Sequence, residues 1–166
     1  EMSELRSVPC EDDVELGPLS EEVLTDLAPL AENKGIALNC AGDALVIGSD
    51  TLLYRLVFNL VENAIRYSRT GSTVNVSICD NDSHVFLRVE DQGPGIPKQY
   101  RESIFQPFFR LDKSRSRAYG GAGLGLALVW EIAALHGGTV EVEESSENGT
   151  TILVSLPKRS AALTEQ

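Results

Sequence analysis

Three groups of residues in this sequence have types and spacings suited to holding a phosphorylated ligand. The first is the run "GGAGLGLALV", Gly120 to Val129, in which four glycines lead into an apolar segment that favours a helix. The first N–H groups of a helix lack partners and carry the positive end of the helix dipole. Glycines before them let a phosphate chain approach the backbone. A loose loop that happens to precede a helix is the alternative interpretation.

Two familiar phosphate-binding motifs do not fit this run. Gly120 and Gly125 have the spacing of a Walker A motif, but Leu126 and Ala127 stand where that motif requires Lys and then Ser or Thr. The dinucleotide-binding pattern GxGxxG has no match within the run, and no clear strand leads directly into it. If the glycines bind an anion, they do so in another kind of site.

The second group lies on a predicted helix with the sequence "TLLYRLVFNLVENAIRYS". Asn59 and Asn63 are spaced i, i+4, so they share one face of that helix. Their amide oxygens suit Mg²⁺, which takes oxygen ligands and keeps several waters. Arg66 lies near the same face, where it can contact a phosphate, and Tyr67 can stack on a base. Alternatively, the asparagines are boundary residues beside an apolar stripe, and Arg66 pairs with Glu62 on the surface.

The third group lies in the stretch "EDQGPGIP", residues 90–97, where a predicted strand ends in a carboxylate. The chain then bends through Gly93 and Gly95. If Asp91 is buried there, it needs a partner, because an unpaired buried carboxylate is unfavourable. The exocyclic amine of adenine is such a donor, whereas guanine carries a carbonyl at that position. The alternative is an ordinary Gly/Pro turn with a solvated aspartate.

A fourth segment, "IFQPFFRLDKSRS", combines aromatic and basic side chains just before the glycine run. Its apolar members are Ile104, Phe105, Phe108 and Phe109, and its basic members are Arg110, Lys113, Arg115 and Arg117. One interpretation is a basic lid, anchored by aromatic residues, over an anionic ligand. The other is plain core packing beside a solvated charge run. Residues 92–123 are mostly irregular, with one short helix predicted near 99–104, and such runs are usually functional or mobile.

These candidates must be positioned by regular elements, and three helices are predicted from apolar residues at helical spacing. The first is capped by Ser20 and ended by Gly35. The second is capped by Asp50, and the third ends at Gly137. The second carries both asparagines beside an apolar stripe, so its opposite side is expected in the core.

Alternating apolar residues predict the strands "STVNVSIC" and "HVFLRVED" with a turn between them. "IALNC" and "LVIG" are shorter strand candidates, and "TVEVEESSENGTTILVSLP" predicts a hairpin that turns near residues 147–149. Helices and strands do not alternate regularly along the chain. This order favours an α+β sandwich, with helices on one face of a mostly antiparallel sheet.

Composition limits the range of functions further. The 166 residues carry a formal net charge of -11, which disfavours a general nucleic-acid binder. No apolar run is long enough to span a membrane. Cys10, Cys40 and Cys79 are widely spaced and odd in number, so free thiols in a reducing compartment are expected.

Taken together, the order and spacing of these segments resemble a known family. "NLVENA", "EDQGPGIP", "IFQPFFR" and "GGAGLGL" look like the N, G1, F and G2 boxes of bacterial sensor histidine kinases. These kinases belong to the Bergerat-type (GHKL) ATPases, together with type II topoisomerases, mismatch-repair ATPases and ATP-driven chaperones. The resemblance covers residues 14–157, and the F box and the helix followed by "HGG" point to the kinase branch.

The resemblance implies a two-layer α/β sandwich of three main helices on a mixed, mostly antiparallel sheet, with ATP and Mg²⁺ held under a flexible lid. Asn59 and Asn63 match residues that handle Mg²⁺, and Asp91 matches the carboxylate that recognises adenine. Asn59 and Arg110 are the implied catalytic residues, with Arg110 near the γ-phosphate. The implied nucleotide-binding residues are Asn59, Asn63, Arg66, Tyr67, Asp91, Gly93, Gly95, Ile96, Phe105, Arg110, Gly121, Gly123, Leu124, Gly125, Leu126 and Thr150.

One departure from the family concerns the phosphoacceptor. The family phosphorylates a histidine on a helical dimerisation domain, but His84 and His136 both lack the surrounding acceptor motif. The resemblance therefore implies that the acceptor histidine lies on a separate dimerisation domain and that a response regulator acts downstream. It also implies a cytoplasmic domain whose parent protein is a homodimer anchored in the bacterial inner membrane, the isolated domain being a monomer.

The expected organisation is a linker over residues 1–13, the catalytic domain over 14–157 and a polar tail over 158–166. Two other classes of function stay open. One is a gyrase-like or chaperone-like module that hydrolyses ATP. Such modules usually carry a catalytic Glu one helical turn before the second Asn, where this chain has Asn59. The other is a non-catalytic module that binds nucleotide, or nothing, and acts only through protein contacts.

Overall fold

The computed structural model describes residues 11–107 and 125–158. In chain order the elements are β1 (Asp12–Glu15), α1 (Leu16–Lys34), β2 (Ala37–Gly42), β3 (Leu45–Gly48), α2 (Asp50–Tyr67), β4 (Thr73–Asp80), β5 (His84–Asp91), α3 (Gly125–Leu135), β6 (Thr139–Ser146) and β7 (Gly149–Pro157). The short helix predicted near 99–104 is instead two 3₁₀ turns, Lys98–Tyr100 and Ser103–Phe105.

A five-stranded sheet of order β2-β4-β5-β7-β6 forms one layer. Only the β2–β4 pair is parallel, and the other three pairs are antiparallel. The helix α2 packs against both α1 and α3, and all three helices pack against this sheet. The predicted α+β sandwich with a mostly antiparallel sheet is therefore confirmed. β1 and β3 pair separately as a short antiparallel ribbon.

The core lies between the helices and one face of the sheet, and strict alternation along the strands creates it. In β5 the side chains of Val85, Leu87 and Val89 are buried, and the next inward position is Asp91. Because side chains alternate between the two faces of a strand, the core-facing row of β5 ends in a carboxylate. The apolar stripe of α2, which includes Leu53 and Leu60, is almost fully buried in this core.

The predicted start of α1 is wrong. The helix begins at Leu16, five residues before the start that a cap at Ser20 predicts. Ser20 lies inside the helix and is fully buried, and its hydroxyl group has no hydrogen-bond partner among the described residues. The first turn takes its acceptor from a distant loop, since Gly17 N–H donates to Asp43 Oδ1 at 2.7 Å. A local capping residue is therefore not required. The predicted end at Gly35 is confirmed, with φ of 73° in the left-handed region that favours glycine.

The predicted cap of α2 is displaced by one residue. Ser49 is the N-cap, and its Oγ accepts a hydrogen bond from Leu52 N at 3.2 Å. Asp50 is instead the first helical residue, where its carboxylate suits the positive end of the helix dipole. The end of α3 follows the prediction, since the helix stops at Leu135 and Gly137 has a φ of 78°.

The predicted linker and tail lie at the two ends of the chain. β1 begins at Asp12, two residues before the predicted start of the catalytic domain. Residues 1–10 and 159–166 lie outside the described residues, so the linker and the tail stay predictions. Within the described part of the chain, no helix is both long and apolar enough to cross a membrane.

Candidate functional site

Asp91 is buried at the end of β5, with 7% of its surface exposed. Its Oδ1 accepts two backbone hydrogen bonds, from Gly93 N at 2.9 Å and from Thr150 N at 3.2 Å. The second bond follows from the strand register, which pairs Asp91 with Thr150 of β7. Within residues 11–107 and 125–158, no group donates a hydrogen bond to Oδ2. The carboxylate is therefore fixed through one oxygen and open to a ligand through the other.

The electrostatic setting of Asp91 favours a ligand that donates a hydrogen bond. Burial raises the pKa of this carboxyl above its usual range, and the amides of Gly93 and Thr150 partly oppose that shift. The neighbouring charge of Glu90 raises the pKa further. Because the ionised form is poorly solvated, a donor reaching Oδ2 would replace hydration that the site has lost.

The turn after Asp91 requires glycine at two positions, because the backbone passes close to other segments. A Cβ on Gly93 would lie 2.4 Å from the carbonyl oxygen of Tyr67, at the end of α2. Gly95 has a φ of 88°, and a Cβ there would lie 2.1 Å from the carbonyl oxygen of Ser146. The turn is therefore wedged between the end of α2 and the β6–β7 hairpin, and the structure brings Tyr67, Asp91 and both glycines together.

Ile96 and Thr150, both predicted site residues, are connected through Ser145. Ile96 N donates to Ser145 Oγ at 2.8 Å, and Ser145 Oγ lies 2.8 Å from Thr150 Oγ1. Thr150 is buried, whereas Ile96 and Ser145 are half-buried. A continuous hydrogen-bonded path therefore links the turn to the strand that holds Asp91.

Asn59 and Asn63 are both half-buried on α2, beside its buried stripe. Arg66 Nη2 lies 3.2 Å from Glu62 Oε2, so the ion pair left open by the sequence is present. About a third of each of these two side chains is exposed, and ion pairs of this kind contribute little to stability. Arg66 can therefore exchange Glu62 for a phosphate at small cost.

The remaining predicted site residues fall into two groups. Phe105 is buried, Leu126 is half-buried, and both belong to or pack against the hydrophobic core. Gly125 is the exposed first residue of α3, and no described residue comes within 4 Å of the position that a Cβ would take there. The others, Arg110, Gly121, Gly123 and Leu124, lie outside the described residues, as does most of the predicted lid.

The two histidines differ in burial and in their contacts. His136 is 3% exposed, its Nε2 accepts from Ser49 N at 3.1 Å, and its Nδ1 lies 2.9 Å from Ile132 O. Burial lowers the pKa of His136, opposed by its bond to Ile132 O. Because Nε2 accepts a hydrogen bond and Nδ1 lies within hydrogen-bond distance of a carbonyl oxygen, the contacts fit the neutral ring with its proton on Nδ1. His84 is half-buried in β5, beside Phe86 and Ser83.

Three residues that position the site were not predicted. Ser145 stands opposite Thr150, so counting back from the predicted hairpin turn would have found it. Ser68, just after α2, is buried and its Oγ accepts from Gln92 N at 3.1 Å. Arg101 donates to Ile96 O at 3.2 Å and to Ser145 O at 3.0 Å. Nothing in the local sequence distinguishes Arg101 from a solvated arginine.

Comparisons with known proteins agree with this geometry. A family model described as histidine kinase-, DNA gyrase B-, and HSP90-like ATPase matches residues 48–160. The sensor-like histidine kinase SenX3 of Mycobacterium tuberculosis is 39% identical over 147 residues, which are 87% of this chain and 36% of SenX3. The chain spans about a third of the length of the curated relatives that it matches.

Solved structures show the same fold. The mycobacterial sensor histidine kinase MprB superposes with a TM-score of 0.76 at 31% identity, covering 90% of this chain and 99% of that chain. Full-length ShkA, solved in complex with AMPPNP, gives a TM-score of 0.81 at 26% identity, covering 96% of this chain and 34% of ShkA. The chain therefore belongs to the histidine kinase-, DNA gyrase B- and HSP90-like ATPase family, and the relatives that it matches here are sensor histidine kinases.

Proposed function

We propose that this chain is the ATP-binding catalytic domain of a sensor histidine kinase, which transfers the γ-phosphoryl group of ATP to a histidine on a separate dimerisation domain. The observation that carries this proposal is the state of Asp91, a buried carboxylate with Oδ1 held by two backbone amides and no described donor at Oδ2. The relatives and the family model support the choice of reaction.

Recognition of adenine follows from the chemistry of the two carboxylate oxygens. Because Oδ1 is fixed by Gly93 and Thr150, the direction of Oδ2 is also fixed. The exocyclic amine of adenine would donate a hydrogen bond to Oδ2. Guanine presents a carbonyl there, and two acceptors facing each other in a buried place are unfavourable. The site should therefore select ATP over GTP.

The phosphates and Mg²⁺ would be held along α2. The amide oxygens of Asn59 and Asn63 form a donor set that suits Mg²⁺, which neutralises phosphate charge when bound. Arg66 would contact a phosphate after leaving Glu62, and Tyr67 would flank the base. We assign Arg110 to the developing charge on the γ-phosphate, and the glycines that precede α3 to the phosphate chain.

The acceptor of the phosphoryl group would be supplied by a partner. Both ring nitrogens of His136 are engaged in hydrogen bonds, and His84 lies in a strand beside Phe86. A separate histidine-bearing dimerisation domain would provide the nucleophile, and a response regulator would receive the phosphoryl group. We infer that residues 14–157 form the catalytic domain, on the cytoplasmic side of a homodimeric kinase anchored in the bacterial inner membrane.

Calorimetric titration of the chain with nucleotides tests the proposal. ATP should bind in the presence of Mg²⁺ with a 1:1 stoichiometry, and binding should weaken when EDTA removes the metal. GTP should bind at least about tenfold more weakly, since mispairing at Asp91 leaves buried polar groups without partners. Equal affinity for ATP and GTP, or no binding of either, would contradict the proposed function.

A further inference from the structure

The turn over residues 92–97 is fastened to the β6–β7 hairpin by two side chains that have no assigned role. Ser145 Oγ accepts from Ile96 N at 2.8 Å. Arg101 Nε donates to Ile96 O at 3.2 Å, and its Nη2 donates to Ser145 O at 3.0 Å. Both the N–H and the C=O group of Ile96 are therefore hydrogen-bonded. Arg101 binds the carbonyl oxygen of Ile96 and also that of Ser145, whose hydroxyl group binds the N–H of Ile96. We call Ser145 and Arg101 the turn clamp.

The turn clamp is connected to Asp91 by further hydrogen bonds. Ser145 Oγ lies 2.8 Å from Thr150 Oγ1, and Thr150 N donates to Asp91 Oδ1 at 3.2 Å. The hydroxyl of Ser145 accepts from Ile96, so its own proton is free to bond Thr150. The turn and the Asp91 carboxylate are thus held by one network, through which a movement of the turn would reach Oδ1 and change the direction of Oδ2.

A bulge in β6 gives Ser145 this position. The register of β6 against β7 shifts between Val142 and Glu144, after which Ser145 pairs with Thr150. Side chains alternate along a strand, so one extra residue moves every later side chain to the opposite face. Without the bulge, Glu144 would occupy the inward position, and a second carboxylate would stand close to Asp91. The bulge therefore places a neutral hydroxyl where a charge would repel Asp91.

We propose that Ser145 and Arg101 are positioning residues that hold Asp91 in the orientation that selects adenine over guanine. This inference rests on the proposed function, since it concerns recognition within the same nucleotide site. It predicts that loosening the turn clamp lowers the preference for ATP over GTP rather than lowering all nucleotide binding equally. A purely structural role would reduce the folded fraction without changing that preference.

The test compares Ser145→Ala with wild type in titrations against ATP and against GTP, with thermal unfolding measured in parallel. Loss of one network bond should raise the Kd for ATP about three- to tenfold and leave the Kd for GTP unchanged. Ser145→Thr, which keeps a hydroxyl, should restore the preference. Ser77→Ala, on the exposed part of β4, is the matched control and should behave as wild type.

Arg101→Met is the second variant, because it keeps an apolar stem while removing the donors to Ile96 and Ser145. It should also lower the preference for ATP over GTP. If Ser145→Ala does not fold, Arg101→Met is the variant that tests the proposal. A folded variant of either kind that keeps the wild-type ratio of ATP to GTP affinity overturns the turn clamp. Failure of wild type itself to prefer ATP would instead overturn the proposed function.

Discussion

Asp91→Asn separates the binding role of this residue from its structural role. The substitution keeps Oδ1, so the hydrogen bonds from Gly93 N and Thr150 N can persist. It replaces Oδ2, which has no described donor, with an NH₂ group. That group would face the amine of adenine, so a donor would meet a donor. The expected result is a large loss of ATP affinity in a domain that stays folded.

The magnitude follows from the kind of bond that is lost. A hydrogen bond to a charged group contributes about 1.5–3 kcal/mol, which corresponds to roughly a 10- to 150-fold rise in the Kd for ATP. The thermal stability of Asp91→Asn, in contrast to its ATP affinity, should not decrease. Burial raises the pKa of Asp91, so its ionised form is disfavoured by folding at neutral pH. The neutral isostere should therefore unfold at the same temperature as wild type or at a higher one.

Titration calorimetry and thermal unfolding of the same preparations measure both effects. The matched control is Asp82→Asn, an exposed aspartate in the turn between β4 and β5. That variant should keep wild-type affinity. GTP should also lose less affinity than ATP in Asp91→Asn, because the new amide can donate to the guanine carbonyl. A folded Asp91→Asn protein with unchanged ATP affinity would refute the assignment of this carboxylate to adenine.

Two further predictions concern stability. Ser20→Ala should raise the free energy of unfolding by about 1 kcal/mol in a urea titration, because it removes from the interior of α1 a buried hydroxyl that has no partner among the described residues. A loss of stability would mean that the hydroxyl is satisfied in solution. Burial lowers the pKa of His136 in the folded state below its usual value of 6.5. As the pH falls below 6.5, the unfolded state therefore takes up a proton on this ring before the folded state does. The free energy of unfolding of wild type should decrease as the pH falls from 6.5 toward the pKa of the folded state. The variant His136→Gln should lose this component of the pH dependence, and an identical pH profile in both proteins would show that His136 does not contribute it.

The spacing of apolar residues along the chain predicted most of the helices and strands. Alternation identified β4, β5 and the β6–β7 hairpin, and the apolar stripe identified α2. Asp91 was placed at the end of β5 because a carboxylate directly follows the alternating row. The structure shows Asp91 buried and paired with Thr150, and its role in binding adenine stays a prediction.

The features that escaped prediction depend on partners far away in the chain. The start of α1 depends on Asp43, which is 26 residues from Gly17. The hydrogen bond that the buried ring of His136 accepts comes from Ser49, 87 residues away. Counting forward from the start of β6 gives the wrong face for Ser145, because nothing in "EVEESS" indicates which residue is extra at the bulge. Such contacts are set by the tertiary fold, which overrides local capping and charge rules.

Transfer of phosphate from labelled ATP tests the central claim most directly. The chain is incubated with γ-labelled ATP and Mg²⁺, alone and with a separately prepared histidine-bearing dimerisation domain from the same parent protein. The account predicts acid-labile phosphohistidine on the added domain and none on this chain, with weak transfer because the two domains are not tethered. Arg110→Ala should reduce that transfer more than it reduces ATP binding. Stoichiometric label on His84 or His136, or release of phosphate without any transfer to the added domain, would contradict the account.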